Sequence, residues 1–172
     1  MHTFTSHCLA LISALMMAVP LAAPPVSAID PGEHLFCFER STNRNYICYD
    51  IRLADGRLVT DDPLNVYWIR AEEDGQRKEL SFIQRKFAFG YKVVKRGNNE
   101  SFIKLNAYDK FQVRICCRGG QWIALATIDG QEARLTRLFA QMRSPKSLHV
   151  EHVDIYGIST ANGKPVHQRI KN

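Results

Sequence analysis

Four cysteines follow the first 28 residues of this 172-residue chain, and their spacing carries the most direct chemical reading. Cys37 and Cys48 flank a polar stretch, Ser41 to Asn45, between two apolar runs, which is the pattern of a β-hairpin. A hairpin turning symmetrically about Thr42–Asn43 makes the two cysteines direct cross-strand partners on its less apolar face. Such partners hold their Cβ atoms about 4.5–5.5 Å apart, near the roughly 3.5–4.5 Å of a disulfide. Cys37 and Cys48 are therefore expected to be bridged in an oxidising compartment. Cys116 and Cys117 are adjacent, so a strand sends them to opposite faces. The series Phe111, Val113, Ile115, Cys117 is expected to point inward, leaving Cys116 partly exposed. No CxxC spacing supports redox exchange or a soft-metal site there.

The remaining reactive side chains form no recognisable constellation. His149 and His152 fall on opposite faces of a strand, and His34 and His167 are single residues expected near solvated strand ends. No metal site and no cofactor are expected. Ser101, Ser147, Cys116, His152 and Asp154 could serve a nucleophilic mechanism, but none lies in a nucleophile elbow. Gly119–Gly120 reads as a hairpin turn rather than a phosphate loop, and Glu72–Glu73 as a solvated strand end. The chain is read as a non-catalytic binding module. The alternative is a small hydrolase or transferase with a site assembled from distant residues.

One surface combines aromatic and basic character: Trp68 and Arg70, with Gln84, Arg85 and Lys86. Tryptophan and arginine anchor interfaces, and arginine pairs with carboxylate or phosphate. Trp68 itself is expected in the core. All of the charge lies after residue 28, with 23 Lys and Arg against 17 Asp and Glu, a formal +6. A basic domain attracts anionic partners. The cations are scattered among acids, so no nucleic-acid stripe is expected. The expected partner is an anionic envelope polymer or a protein. Asn99-Glu100-Ser101 fits an N-glycosylation acceptor.

The elements that must position these residues begin after a leader. Cys8 to Val19 is apolar and uncharged, Pro20 ends it, and Val26-Ser27-Ala28 supplies small residues before a cut. Residues 1–28 are expected to be a signal peptide, which makes the chain periplasmic or secreted. Residues 29–172 are expected to form a single β-rich domain with no transmembrane span. Turn signals at Asp55–Gly56, Asp74–Gly75, Gly97-Asn98-Asn99, Gly119–Gly120, Asp129–Gly130 and Asn162–Gly163 separate runs rich in Val, Ile, Phe, Tyr and Trp. This predicts an all-β fold, a mostly antiparallel sandwich or partly open barrel of about nine or ten strands. Leu64 to Ala71 is apolar on both faces and is expected to be central. Over Arg77 to Phe89, Leu80, Ile83 and Phe87 fall on one helical stripe, and one short helix is expected over residues 78–86. A strand is expected from about Phe89 to Lys95.

Several motifs also resemble a known family in their order. These are the Asn43–Asp50 hairpin, Asp62–Pro63 before Tyr67-Trp68-Ile69-Arg70, Phe82-Ile83-Gln84-Arg85-Lys86-Phe87-Ala88-Phe89-Gly90, and Ile155-Tyr156-Gly157 with Asn162–Gly163. The chain resembles the domain of unknown function 4833 family, short and mostly bacterial exported proteins. The resemblance implies one compact domain and brings no assigned activity or site residues.

Overall fold

A computed structural model describes residues 34–144 and 149–171. The expected signal peptide and Ser147 lie outside the described residues. The described residues fold as thirteen strands: β1 (Phe36–Arg40), β2 (Asn43–Ile51), β3 (Leu53–Ala54), β4 (Arg57–Leu58), β5 (Leu64–Ile69), β6 (Arg77–Glu79), β7 (Tyr91–Gly97), β8 (Glu100–Leu105), β9 (Tyr108–Arg118), β10 (Gln121–Ile128), β11 (Gln131–Met142), β12 (Val150–Ser159) and β13 (Pro165–Lys171). Between β6 and β7 runs one short helix, an α-turn α1 (Phe82–Gln84) passing into a π-helical turn (Arg85–Phe89). Eleven strands form one mixed sheet that curls into a half-barrel, the partly open alternative of the predicted all-β fold.

The second half is the antiparallel meander that short Gly-bearing connections dictate, β7 through β11, followed by the β12–β13 hairpin. The first half, β1, β2, β5 and β6, joins it through a single parallel pairing, Cys37–Arg40 against Arg137–Ala140 of β11. The twelve-residue β11 makes this possible. Its first residues pair with β10 and its later ones with β1, while β12 takes the other edge. At the open side, the segment around residues 58–64 is stitched to β7 and β8. Ser101 Oγ donates to the Thr60 carbonyl (2.8 Å), Leu58 N–H donates to Asn99 Oδ1 (3.2 Å), and the Tyr91 hydroxyl accepts from Leu64 N–H (3.0 Å). Asn99 and Ser101 of the acceptor motif are thus both engaged internally.

The core fills the concave face. Register aligns Phe36, Tyr49 and Val66 in one row across β1, β2 and β5, and Phe38, Ile47, Trp68 and Lys78 in the next, which reaches β6. Opposite them lie Ile103, Val113, Ile115, Ile128 and Leu135, all fully buried. Phe36 stacks on Tyr49 with centroids 4.3 Å apart. Tyr49 donates its hydroxyl to the Phe89 carbonyl at 2.7 Å, and its burial pushes the phenol pKa strongly upward.

Three details differ from expectation. β5 is covered on both faces, yet only the three-residue β6 lies beyond it, so it is not central. Its outer face is covered by a small cluster in which Tyr67 packs on Cys37 and Cys48. The helix starts at Phe82, because residues 77–79 add a strand and Ser81 supplies a capping box with Gln84. The expected stripe then splits. Leu80, just before the cap, is buried, but Ile83 and Phe87 are exposed and Phe89 takes the core position instead. Finally, Cys116 is buried and Cys117 exposed, the reverse of the inward series. Position 117 falls at the Gly119–Gly120 hairpin end, beyond the core, whereas Cys116 sits in register between Glu100 and Ile123. Burial pushes its thiol pKa up, which makes Cys116 a poor nucleophile at neutral pH.

Candidate functional site

Where β5, β6 and α1 meet, the core row runs out into a cavity of about 420 Å³. Its lining includes Arg40, Trp68, Arg70, Lys78, Ser81 and Gln84, with Glu73 and Glu79 at hand. Sequence dictates each placement. Trp68 and Lys78 are cross-strand partners and share the concave face. The capping box fixes Gln84: its Oε1 accepts from Ser81 N–H (2.9 Å), while Ser81 Oγ accepts from Gln84 N–H (3.3 Å). Arg40 ends β1, where a register shift between Glu39 and Arg40 lets its side chain lie over the aromatics. Its guanidinium carbon is 5.3 Å from the Trp68 ring centre and 5.6 Å from that of Phe89.

The electrostatics of this cavity are uneven. Arg70 is taken by Glu73, and Glu79 is shared between Arg77 (3.0 Å) and Arg85 (3.6 Å). Arg40 has no carboxylate partner among the described residues, and its Nε is buried without a hydrogen-bond acceptor. Burial lowers the Arg40 pKa, but a guanidinium stays charged at neutral pH. Lys78 likewise makes no ion pair among the described residues. A buried cationic donor lacking an acceptor, beside a tryptophan face, suits a carboxylate or phosphate oxygen. Of the residues predicted from sequence, Trp68, Arg70 and Gln84 converge on this cavity. Arg85 turns to Glu79, and Lys86 lies over the exposed Phe82 and Phe87 rings. Arg40 and Lys78 were missed. Lys78 carries a readable signal, since it stands across from Trp68 in the β5–β6 pairing, whereas Arg40 pairs with Asn43 after a register shift and carries none.

On the convex face, Cys37 and Cys48 are direct register partners, as the hairpin spacing requires. Their sulfurs lie 3.9 Å apart as thiols. Beside them His34 Nδ1 meets Asp50 Oδ1 at 2.7 Å, and the Tyr67 hydroxyl donates to Asp50 Oδ2 at 2.5 Å. One ring nitrogen of His34 and the two sulfurs fall within 4.8 Å of one another, a set that could hold a soft metal ion while both thiols are reduced. Oxidation would consume both sulfur ligands. We expect material exported to an oxidising compartment to carry the Cys37–Cys48 bridge and to lose about 2–3 kcal/mol on Cys37→Ala/Cys48→Ala substitution. Non-reducing peptide mapping checks this; recovery of both cysteines as alkylated thiols would refute it.

Of the candidates for a nucleophilic mechanism, His152 and Asp154 come together on β12, Nε2 to Oδ2 at 3.5 Å, but neither described nucleophile reaches them: Ser101 lies on β8 and Cys116 on β9, with β10 and β11 between in the sheet. His167 is exposed, as expected, and its Nε2 approaches Asp154 Oδ1 at 2.8 Å. Arg169 clamps the same carboxylate through Nε (2.8 Å) and Nη2 (2.9 Å). These hydrogen bonds, the Arg169 pair foremost, hold the Asp154 pKa down at about 2. The carboxylate therefore stabilises the fold above its ordinary range, and that stability drains away as pH falls from about 4 through 2. The loss should be on the order of 2 kcal/mol, seen as a lower urea midpoint in acid. Asp154→Asn should lose this acid dependence, and an unchanged pH profile in that variant would contradict the assignment.

A family profile described as Domain of unknown function (DUF4833) matches residues 36–169. No curated protein and no solved structure matches the chain. The chain belongs to the DUF4833 family.

Proposed function

We propose that this DUF4833 protein is an exported, non-catalytic binding module of the cell envelope. Its Arg40–Trp68 cavity takes an anionic group on an envelope polymer or a protein partner. The observation that carries this reading is the buried Nε of Arg40, a charged donor with no acceptor. That Nε is closed to solvent, so an incoming anion meets the same guanidinium from the cavity side, where Arg40 forms part of the lining. Lys78 adds a second cation without a partner among the described residues, and Trp68 offers an aromatic wall. The formal charge of +6 draws anions toward the domain. Export rests on the leader pattern of residues 1–28, with cleavage near Ala28. Among the described residues no helix is long and apolar enough to cross a membrane.

The test is a fluorescence titration of the purified protein with tripolyphosphate and with tricarballylate, using neutral glycerol as control. Trp68 reports on the site because its ring lies against Arg40. Saturable, salt-weakened responses to the anions, with none to glycerol, are expected. Identical flat responses to all three would overturn the reading.

A further inference from the structure

The turn that walls the cavity also carries the most exposed apolar side chains among the described residues. Phe82 is 75% exposed, Ile83 69% and Phe87 65%. Nothing about this turn is loosely held. Asn106 Nδ2 donates to the carbonyls of Arg85 (2.9 Å) and Lys86 (3.1 Å). Phe89, at its end, is edge-on to Trp68 at 5.1 Å. Gly90 is required beneath it, because a Cβ there would stand 1.9 Å from the Arg85 carbonyl oxygen. The fold thus holds three large apolar side chains in water, where they add little to its own core.

One cation lies directly over them, and others line the hollows that adjoin the turn. Lys86 Nζ lies 5.7 Å from the Phe82 ring centre and 5.2 Å from that of Phe87. On one side is Lys78, in the cavity that Ser81 and Gln84 of the same turn help to form. On the other, Lys92, Lys104 and Lys110 line a hollow with Asn106, the residue that braces the turn. The acids nearby are Glu73 and Glu79, both already ion-paired, and Asp109. Exposed apolar side chains with Lys86 over them and further lysines in the adjoining hollows match the chemistry of an anionic bilayer surface, where side chains enter the acyl boundary and cations meet phosphates. A protein partner fits less well: three side chains on one turn fall short of the about 800 Å² per partner that a stable interface buries.

We propose that the Phe82–Ile83–Phe87 knob docks the protein on membranes containing anionic phospholipid, with the Arg40–Trp68 cavity facing the phosphate layer. This rests on the anion-binding reading above and assigns that anion to a lipid headgroup.

The experiment is sedimentation of the protein with phosphatidylcholine vesicles, with and without phosphatidylglycerol, alongside a titration with free glycerol 3-phosphate. Expected are salt-sensitive binding to the phosphatidylglycerol vesicles and at least a tenfold weaker partition for Phe82→Ser/Phe87→Ser and for Ile83→Asp. These positions are exposed, so both variants should keep the parent near-ultraviolet circular dichroism. Glycerol 3-phosphate binding without vesicle binding would overturn the docking proposal and leave the anion site standing. Vesicle binding unaffected by either variant would equally overturn the knob. Failure of both ligands would remove the anion site and the docking proposal together.

Discussion

Arg40→Gln is expected to weaken anion binding by about 10- to 100-fold while leaving the domain no less stable than the parent. The two halves of that expectation come from one observation. A charged donor bound to an anion contributes about 1.5–3 kcal/mol, which sets the loss of affinity. The same donor in the unliganded protein has a buried Nε without an acceptor and no ion pair among the described residues. Its removal relieves the roughly 1–3 kcal/mol of an unsatisfied buried donor and forfeits the contact with Trp68 and Phe89, worth about 2 kcal/mol where desolvated, so the two roughly cancel. Arg70→Gln should weaken binding less, because Glu73 already occupies that guanidinium. Titration calorimetry and urea denaturation on both variants check the pair. An Arg40→Gln protein that unfolds easily but binds normally would place Arg40 among structural residues.

Gly157→Val should destabilise the fold by about 3 kcal/mol or more, the largest stability effect expected of any exchange considered above. Gly157 pairs with Leu135 of β11 beside a register shift in the β11–β12 ladder. A Cβ there would lie 2.6 Å from Ile128 Cδ1 and 2.7 Å from the Arg134 carbonyl oxygen. The methyl could yield, but the carbonyl belongs to the strand that ties both halves of the half-barrel together. Gly163→Ala is the control. Its Cβ meets nothing within 4 Å, so only the strain of φ +70° remains, about 1 kcal/mol. Equal urea midpoints for the two variants would remove close packing at Gly157 as the cause.

Most of the strand pattern was legible because it is local. Turn dipeptides and alternating apolar residues dictate the β7–β11 meander and the β12–β13 hairpin, and the spacing of Cys37 and Cys48 dictates their register. The parallel β1–β11 pairing was not legible, because it joins segments about a hundred residues apart with no short connection to announce it. The helix starts four residues later than the expected 78–86, because the apolar period there also suits a strand followed by a cap. Ser81 and Gln84 decide between them, and both were present in the sequence. Exposure of Phe82, Ile83 and Phe87 defeats periodicity outright, since pattern reading assigns apolar residues to a core. For the site, Trp68, Arg70 and Gln84 were readable as an aromatic and basic group. Arg40 was not, because its role depends on lacking a partner, which only the fold reveals. The pairing of His34 with Asp50 and His167 with Asp154 likewise joins separate strands.

The most direct measurement is the nuclear magnetic resonance signal of the Arg40 Nε–H group during titration with tripolyphosphate, assigned by its loss in Arg40→Gln. A saturable downfield shift, matched by slowed exchange with water and by a change at the Trp68 indole, is predicted. An Arg40 signal that stays in place while other arginines respond would contradict the anion site.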